Sequence, residues 1–208
     1  NWTAVGVPDC PALPIVDPRG LVTPFFDGWS LDAFLLTGDG RVLAPCVSAV
    51  TRQHQLLERH RVAVRTHTEE AGMRLESCVD ALYSKGKPVC RIRYRGEMAE
   101  PGWLVVSLRP FNPEGVSTLN KLRINASRTR WSVNGRRCVA FGEGAERHLA
   151  STYEDGDVIR DLLEREESDN ARCRVGMASA AALFPVRPNE QRELEVRVAL
   201  DKDPEKPK

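Results

Sequence analysis

The chain has 208 residues, enough for one domain with a sizeable hydrophobic core. With 41% hydrophobic and 28% charged residues its composition is that of an ordinary globular protein, and 30 basic against 29 acidic residues leave a net charge of +1. That balance gives no electrostatic case for nucleic acid or an anionic membrane as partner, and no run approaches the ~20 apolar residues of a bilayer span.

Asn1 stands where a Met is usual, and no basic-then-apolar leader follows, so the sequence reads as cut from something longer. The first segment to depart from simple alternation is Asp17-Pro-Arg-Gly-Leu-Val-Thr-Pro24, followed by Gly28-Trp-Ser-Leu-Asp32. Pro and Gly stiffen the backbone there, while Arg19 offers a planar cation and Trp29 a large ring, which makes both candidate binding groups.

From about Arg61 to Pro110 the period-two signal is strong, and it predicts a meander of four long strands. Arg61–Thr68 alternates, Met73–Tyr83 and Gly102–Pro110 are further strands, and Ala71-Gly72 and Lys85-Gly86 mark hairpin tips. Val89-Cys-Arg-Ile-Arg-Tyr-Arg95 is the clearest case: Cys90, Ile92 and Tyr94 share one face, and three arginines the other. The last strand runs into Leu108-Arg-Pro-Phe-Asn-Pro-Glu-Gly115, a loop stiffened by two prolines that carries Arg109, Asn112 and Glu114 as candidate contact residues.

Asn134-Gly135 between Thr129–Val133 and Arg136–Phe141 predicts a tight hairpin. Val158, Ile159, Leu162 and Leu163, after Asp155 or Asp157 as cap, predict the one clear helix, and Ala178–Ala182 is ambiguous between helix and strand. Glu193–Leu200 is another alternating strand, and residues 201–208, rich in charge and Pro, read as a linker or tail. Residues 1–200 are thus expected to form a single mainly β domain, a large antiparallel two-sheet sandwich of at least about a dozen strands with one or two short helices.

The fingerprints of catalysis are missing: no GxSxG, Walker loop, HExxH or strand-borne GxGxxG occurs. Glu69-Glu70 and Glu164–Glu167 read as solvated charge, and no carboxylate is flanked by the aromatics that would desolvate it. His54, His60, His67 and His148 are expected at the surface and not as a metal site, and neither a metal nor a cofactor is expected. The six cysteines, Cys10, Cys46, Cys78, Cys90, Cys138 and Cys173, contain no CxxC and are expected as free thiols of a reducing, cytoplasmic compartment, with Cys90 and Cys138 buried on strands.

Asp17-Pro-Arg-Gly20, Gly28-Trp-Ser-Leu31 and the Leu108–Gly115 loop, with the Trp131-Ser-Val-Asn-Gly135 hairpin, resemble the N-terminal β-sandwich regions of bacterial glucoamylase and glycogen-debranching-type proteins. The resemblance covers most of the chain. It implies a sandwich of galactose-mutarotase-like shape that precedes an (α/α)6 helical domain, where the catalytic carboxylates reside. It therefore implies no catalytic residue here, and a domain that packs on the helical one as partner, with Arg19, Trp29, Arg109, Asn112 and Glu114 as contact candidates. Two alternatives remain open. One is a free-standing module that binds an α-glucan or oligosaccharide by ring stacking, for which Trp29 and Trp103 are the candidates. The other is a small sugar epimerase, in which His67 or His148 would serve as acid or base.

Overall fold

The computed structural model describes residues 2–26, 28–58 and 61–201, without the side chains of residues 58, 137 and 138. Its described residues form nineteen strands and no helix. In chain order the first nine are β1 (Thr3–Ala4), β2 (Ile15–Val16), β3 (Val22–Thr23), β4 (Ser30–Thr37), β5 (Val42–Leu43), β6 (Arg52–Glu58), β7 (Arg61–Glu70), β8 (Met73–Ser84) and β9 (Lys87–Met98). There follow β10 (Gly102–Arg109), β11 (Phe111–Asn112), β12 (Gly115–Val116), β13 (Lys121–Ile124), β14 (Arg130–Val133) and β15 (Arg136–Phe141). The last are β16 (Arg147–Ser151), β17 (Asn170–Arg172), β18 (Ser179–Val186) and β19 (Arg192–Ala199).

Seventeen of the strands pair antiparallel into two large sheets, and β11 and β12 form a small two-stranded pair of their own. An eight-stranded sheet runs β1-β2-β3-β4-β10-β18-β16, with β5 also on β4, and a nine-stranded sheet runs β17-β13-β14-β15-β19-β9-β8-β7-β6. Between them lies one continuous core, with Leu31, Leu35, Ile92, Tyr94, Leu104, Trp131 and Phe184 all buried. This is the expected antiparallel sandwich.

Three predicted hairpin tips are present, and the backbone explains them. Ala71 and Gly72 (φ 52° and 77°), Lys85 and Gly86 (51° and 77°), and Asn134 and Gly135 (50° and 82°) each place two successive residues at positive φ. That is the type I′ turn, whose twist matches that of the strands it joins.

Strands β7, β8 and β9 pair in chain order as expected, but the fourth strand of the predicted meander does not join them. β10 crosses to the centre of the eight-stranded sheet, between β4 and β18. Its sequence contains the reason: Leu104, Val106 and Leu108 fill the inter-sheet core while Val105 and Ser107 on the other phase are buried as well. A strand uncharged until its last residue, Arg109, suits a position covered on both faces.

What covers the outer face is the segment expected to be the helix. Val158 and Leu162 pack on Phe34, Leu36, Val105 and Leu183 from outside the sheet, so their spacing does reflect burial on one side. The backbone, however, forms consecutive turns, with Arg160 N donating to Asp157 O (3.0 Å) and Arg165 N to Asp161 O (2.9 Å). Asp161 has φ +59°, a left-handed conformation that interrupts helix propagation. Ala178–Ala182, the ambiguous stretch, lies mostly in β18, where Ala180, Ala181 and Ala182 are buried between close neighbours. The expected linker lies outside the described residues from 202 onward.

Candidate functional site

At the end of the sandwich where β4 begins and β10 ends, Ser30 and Arg109 are cross-strand partners. At the Phe25–Phe26 turn between β3 and β4 opens an apolar groove of about 830 Å³ lined by Leu13, Phe25, Phe26, Tyr83, Pro88 and Leu200, among others. Phe26 is 68% exposed and Leu13 54%, so the groove presents large apolar groups to water. The turn after β3 sets them there: Gly28 N donates to Phe25 O (2.9 Å), which turns Phe26 outward while Phe25 packs edge-on against Trp29 (6.0 Å between centroids). The far wall is fixed by Tyr83, whose hydroxyl donates to Pro8 O at 2.7 Å.

The loop after β10 is tied to the same turn. Asn112 Nδ2 donates to Gly28 O (2.8 Å), while its Oδ1 accepts from the backbone N–H of Glu114 (2.8 Å) and Gly115 (3.1 Å). Glu114 is exposed, and its carboxylate has no partner among the described residues. Trp29 belongs to the same neighbourhood but is buried at 6% exposure, in the core and not on a stacking platform. Arg109 points to the outer face of the eight-stranded sheet, forks onto Asp157 (Nη1–Oδ1 2.9 Å) and lies 5.1 Å over the Phe111 ring. Arg19 stands apart: it donates to Ser48 O, and Asp17 Oδ1 caps its turn through the N–H groups of Arg19 and Leu21, both at 2.8 Å. None of the five candidates lines the groove itself: Trp29 and Asn112 contact the turn that carries Phe25 and Phe26, Glu114 stands exposed on the Asn112 loop, Arg109 clamps the outer segment, and Arg19 serves a separate turn.

Sequence reasoning missed Asp32. It lies on the outward phase of β4, opposite Ser107. The 157–163 segment partly roofs it, leaving a cavity of about 320 Å³ lined by Asp32, Phe34, Leu36, Cys46, Ile159 and Leu162. Burial pushes its carboxyl up to about 6, against the lowering influence of the Ala33 N–H and the Arg109 charge. The Cys46 thiol beside it is pushed up too, by burial and then by the Asp32 charge. The expectation that no carboxylate is desolvated is corrected here; an outward strand residue betrays its cover only when the covering segment is recognised. Asp32 is an acid with neither a histidine nor a second carboxylate hydrogen-bonded to it among the described residues.

Two of the histidines also differ from expectation. His148 is fully buried, with Nε2 accepting from Trp131 Nε1 (2.8 Å) and Nδ1 facing Ser168 O (2.7 Å). His67 is half-buried between Glu69 (3.4 Å) and Glu76 (3.3 Å), His54 is exposed, and His60 lies outside the described residues. Among the described residues no group of His, Cys, Asp and Glu could hold a metal. Trp103, the other stacking candidate, is half-buried, with its indole N–H 3.4 Å from Glu146 Oε1. Cys10, Cys46, Cys78, Cys90 and Cys173 are free thiols, and the Cys138 side chain lies outside the described set.

No protein-family model matches the chain, and no curated protein sequence matches it. Its fold is similar to part of a bacterial glucoamylase solved in complex with acarbose, with TM-score 0.59 and 10% identity. The match covers 95% of this chain but 36% of the glucoamylase, so the chain spans about a third of that protein's length. A second structure, provisionally described as a kojibiose phosphorylase from the human microbiome, matches at TM-score 0.39 and 6% identity over 96% of this chain and 25% of its own, too remote to carry an argument. At such identities the likeness establishes the fold alone, an antiparallel β-sandwich, as the sequence resemblance implied.

Proposed function

We propose that the chain is the accessory β-sandwich of a carbohydrate-active enzyme of glucoamylase or debranching type, without turnover of its own, and that it packs on an (α/α)6 catalytic domain of the same polypeptide. The observation that carries this reading is the apolar groove of about 830 Å³ with Leu13 and Phe26 exposed at its mouth. A surface of that size and composition is stable in water only at a cost, and a docked domain removes it from water. The occupant is argued from two further facts. The sandwich accounts for 36% of the glucoamylase it resembles in fold, which leaves most of such a chain for another domain. Leu200 and Asp201 line the groove themselves. Asn112 and Glu114, on the loop tied to the turn that carries Phe25 and Phe26, and Trp29 packed on Phe25, would then shape the contact, and any effect on an α-glucan or oligosaccharide would come through the helical domain.

Sequencing the reading frame around this chain tests the proposal. A frame that continues beyond residue 208 into a helix-rich domain is the expected result, and a stop codon at that point would remove the partner and the proposal with it.

A further inference from the structure

The outer face of the nine-stranded sheet carries a polar hollow of about 280 Å³, well separated in chemistry from the apolar groove. One row crosses its floor: Arg65 on β7, Cys78 on β8, Arg93 on β9 and Glu195 on β19 are successive cross-strand partners. The carboxylates around the row are already engaged. Glu76 meets Arg74 at 3.0 Å and His67 at 3.3 Å, Glu193 meets Arg95 at 3.0 Å, and Glu195 turns away from Arg93 to meet Arg197 at 2.6 Å. In the next row Asp80 is taken by Arg91, with Nε–Oδ1 at 2.9 Å.

Two guanidiniums are left over. Arg93 is half-buried, its Nε is fully buried without a hydrogen-bond partner, and its Nη2 reaches only the Cys78 sulfur at 3.4 Å. Arg65, exposed two strands away, has no carboxylate partner among the described residues. A buried N–H without an acceptor is costly, and a sulfur is a poor substitute for an anion. The planar guanidinium fork matches a carboxylate or phosphate with two parallel hydrogen bonds.

We propose that the row Arg65–Cys78–Arg93 is a binding site for one small oxyanion, a phosphate or carboxylate group held between the two guanidiniums and above the Cys78 thiol. The Arg93 Nε–H and Nη groups form the inner contact, and Arg65 closes over the outer side. The ring of Glu76, Glu193 and Glu195 limits the ligand to a compact anion, because the neighbouring charges of an extended polyanion would fall on carboxylates. This site is independent of the domain-docking proposal and stands or falls without it.

Cys78 supplies the readout. Its alkylation is followed by peptide mass mapping while inorganic phosphate, or in a second series acetate, is added at constant ionic strength. The site predicts that at least one of the two slows alkylation of Cys78 while leaving Cys10 unaffected, and which one acts separates a phosphate site from a carboxylate site. Arg93→Met should abolish the protection, Arg93→Lys should retain part of it, and Arg65→Met should weaken it about tenfold, the size of one lost charge-assisted contact. Arg65 is exposed, so its variant carries the test even if Arg93→Met fails to fold. Protection by neither anion, or equal protection in wild type and Arg65→Met, overturns the proposal.

Discussion

The indole N–H of Trp131 donates to Nε2 of His148 at 2.8 Å, and both side chains are fully buried in the sandwich. Because Nε2 must accept, the ring proton sits on Nδ1 and is donated to Ser168 O at 2.7 Å. Burial pushes His148 down to about 4, with the Asp169 carboxylate 3.8 Å from Nδ1 opposing the shift.

His148 and Asp32 give the stability profile opposite slopes in acid. A histidine depressed from 6.5 to about 4 contributes stability that is complete above 6.5 and is lost as pH falls towards 4. Asp32, raised from 3.8 to about 6, does the reverse: its contribution is complete below 3.8 and is lost as pH rises through 6. Asp32→Asn removes the second slope alone. The variant should be more stable than wild type at neutral pH by up to about 2 kcal/mol, once residual water contact of the half-buried carboxyl is counted, and should lose stability more steeply on acidification. Urea midpoints measured from pH 4 to pH 8 check this, and parallel profiles for the two proteins would refute it.

Arg109 and Asp157 form an asymmetric pair. The Arg109 side chain is 9% exposed and that of Asp157 is 37%, so Asp157 can turn to water when its partner is lost, whereas Arg109 cannot. Asp157→Ala should therefore cost about 2–3 kcal/mol and loosen the 157–163 segment, while Arg109→Met should cost less than about 1 kcal/mol. Thermal melts of the two variants decide the matter, and a reversed order would mean that Arg109 is hydrated in solution.

Gly102 admits no side chain. A Cβ there would lie 2.2 Å from the Leu36 carbonyl oxygen and 2.9 Å from the Met98 methyl, at the point where the chain crosses from one sheet to the other. Gly102→Ala should destabilise by about 3 kcal/mol by forcing β4 and β10 apart. Gly86→Ala serves as the comparison, since its Cβ would meet nothing and only the positive φ of 77° resists it. A smaller loss at Gly102 than at Gly86 would contradict the crossing geometry.

The loop after β10 divides its labour between two neighbours. Asn112 holds three hydrogen bonds that build the loop and tie it to Gly28, so Asn112→Ala should lower the stability of the chain by about 1–2 kcal/mol. Glu114 is exposed and unpartnered, so Glu114→Ala should leave the melting temperature unchanged and affect only docking. If Glu114→Ala destabilises the isolated chain, it is a structural residue and not part of a contact surface.

The sheets were legible wherever one strand face is charged and the other apolar, as in β9 and β19, and wherever a tip carries residues that tolerate positive φ, as at Asn134-Gly135. Legibility failed where a strand is covered on both faces. β10 carries no charge before its last residue, Arg109, to reveal which sheet it joins, and Val158 and Leu162 repeat at helical spacing although Asp161 breaks the helix. The same cover hid Asp32. Of the candidate residues, Asn112 and Glu114 were marked by their stiff loop, but burial of Trp29 and the pairing of Arg109 with Asp157 depend on segments remote in sequence, which no local pattern encodes.

Docking of the groove is tested most directly by hydroxyl-radical footprinting of Leu13, Phe26 and Tyr83 in the isolated chain and in the full polypeptide that contains it. Exposure of 54%, 68% and 46% makes all three reactive in the isolated chain. A domain seated on the groove should cut their reactivity several-fold while leaving Val47, 82% exposed outside the groove lining, unchanged. Equal reactivity of Phe26 and Leu13 in the two forms would contradict the proposal that this end of the sandwich carries a catalytic domain.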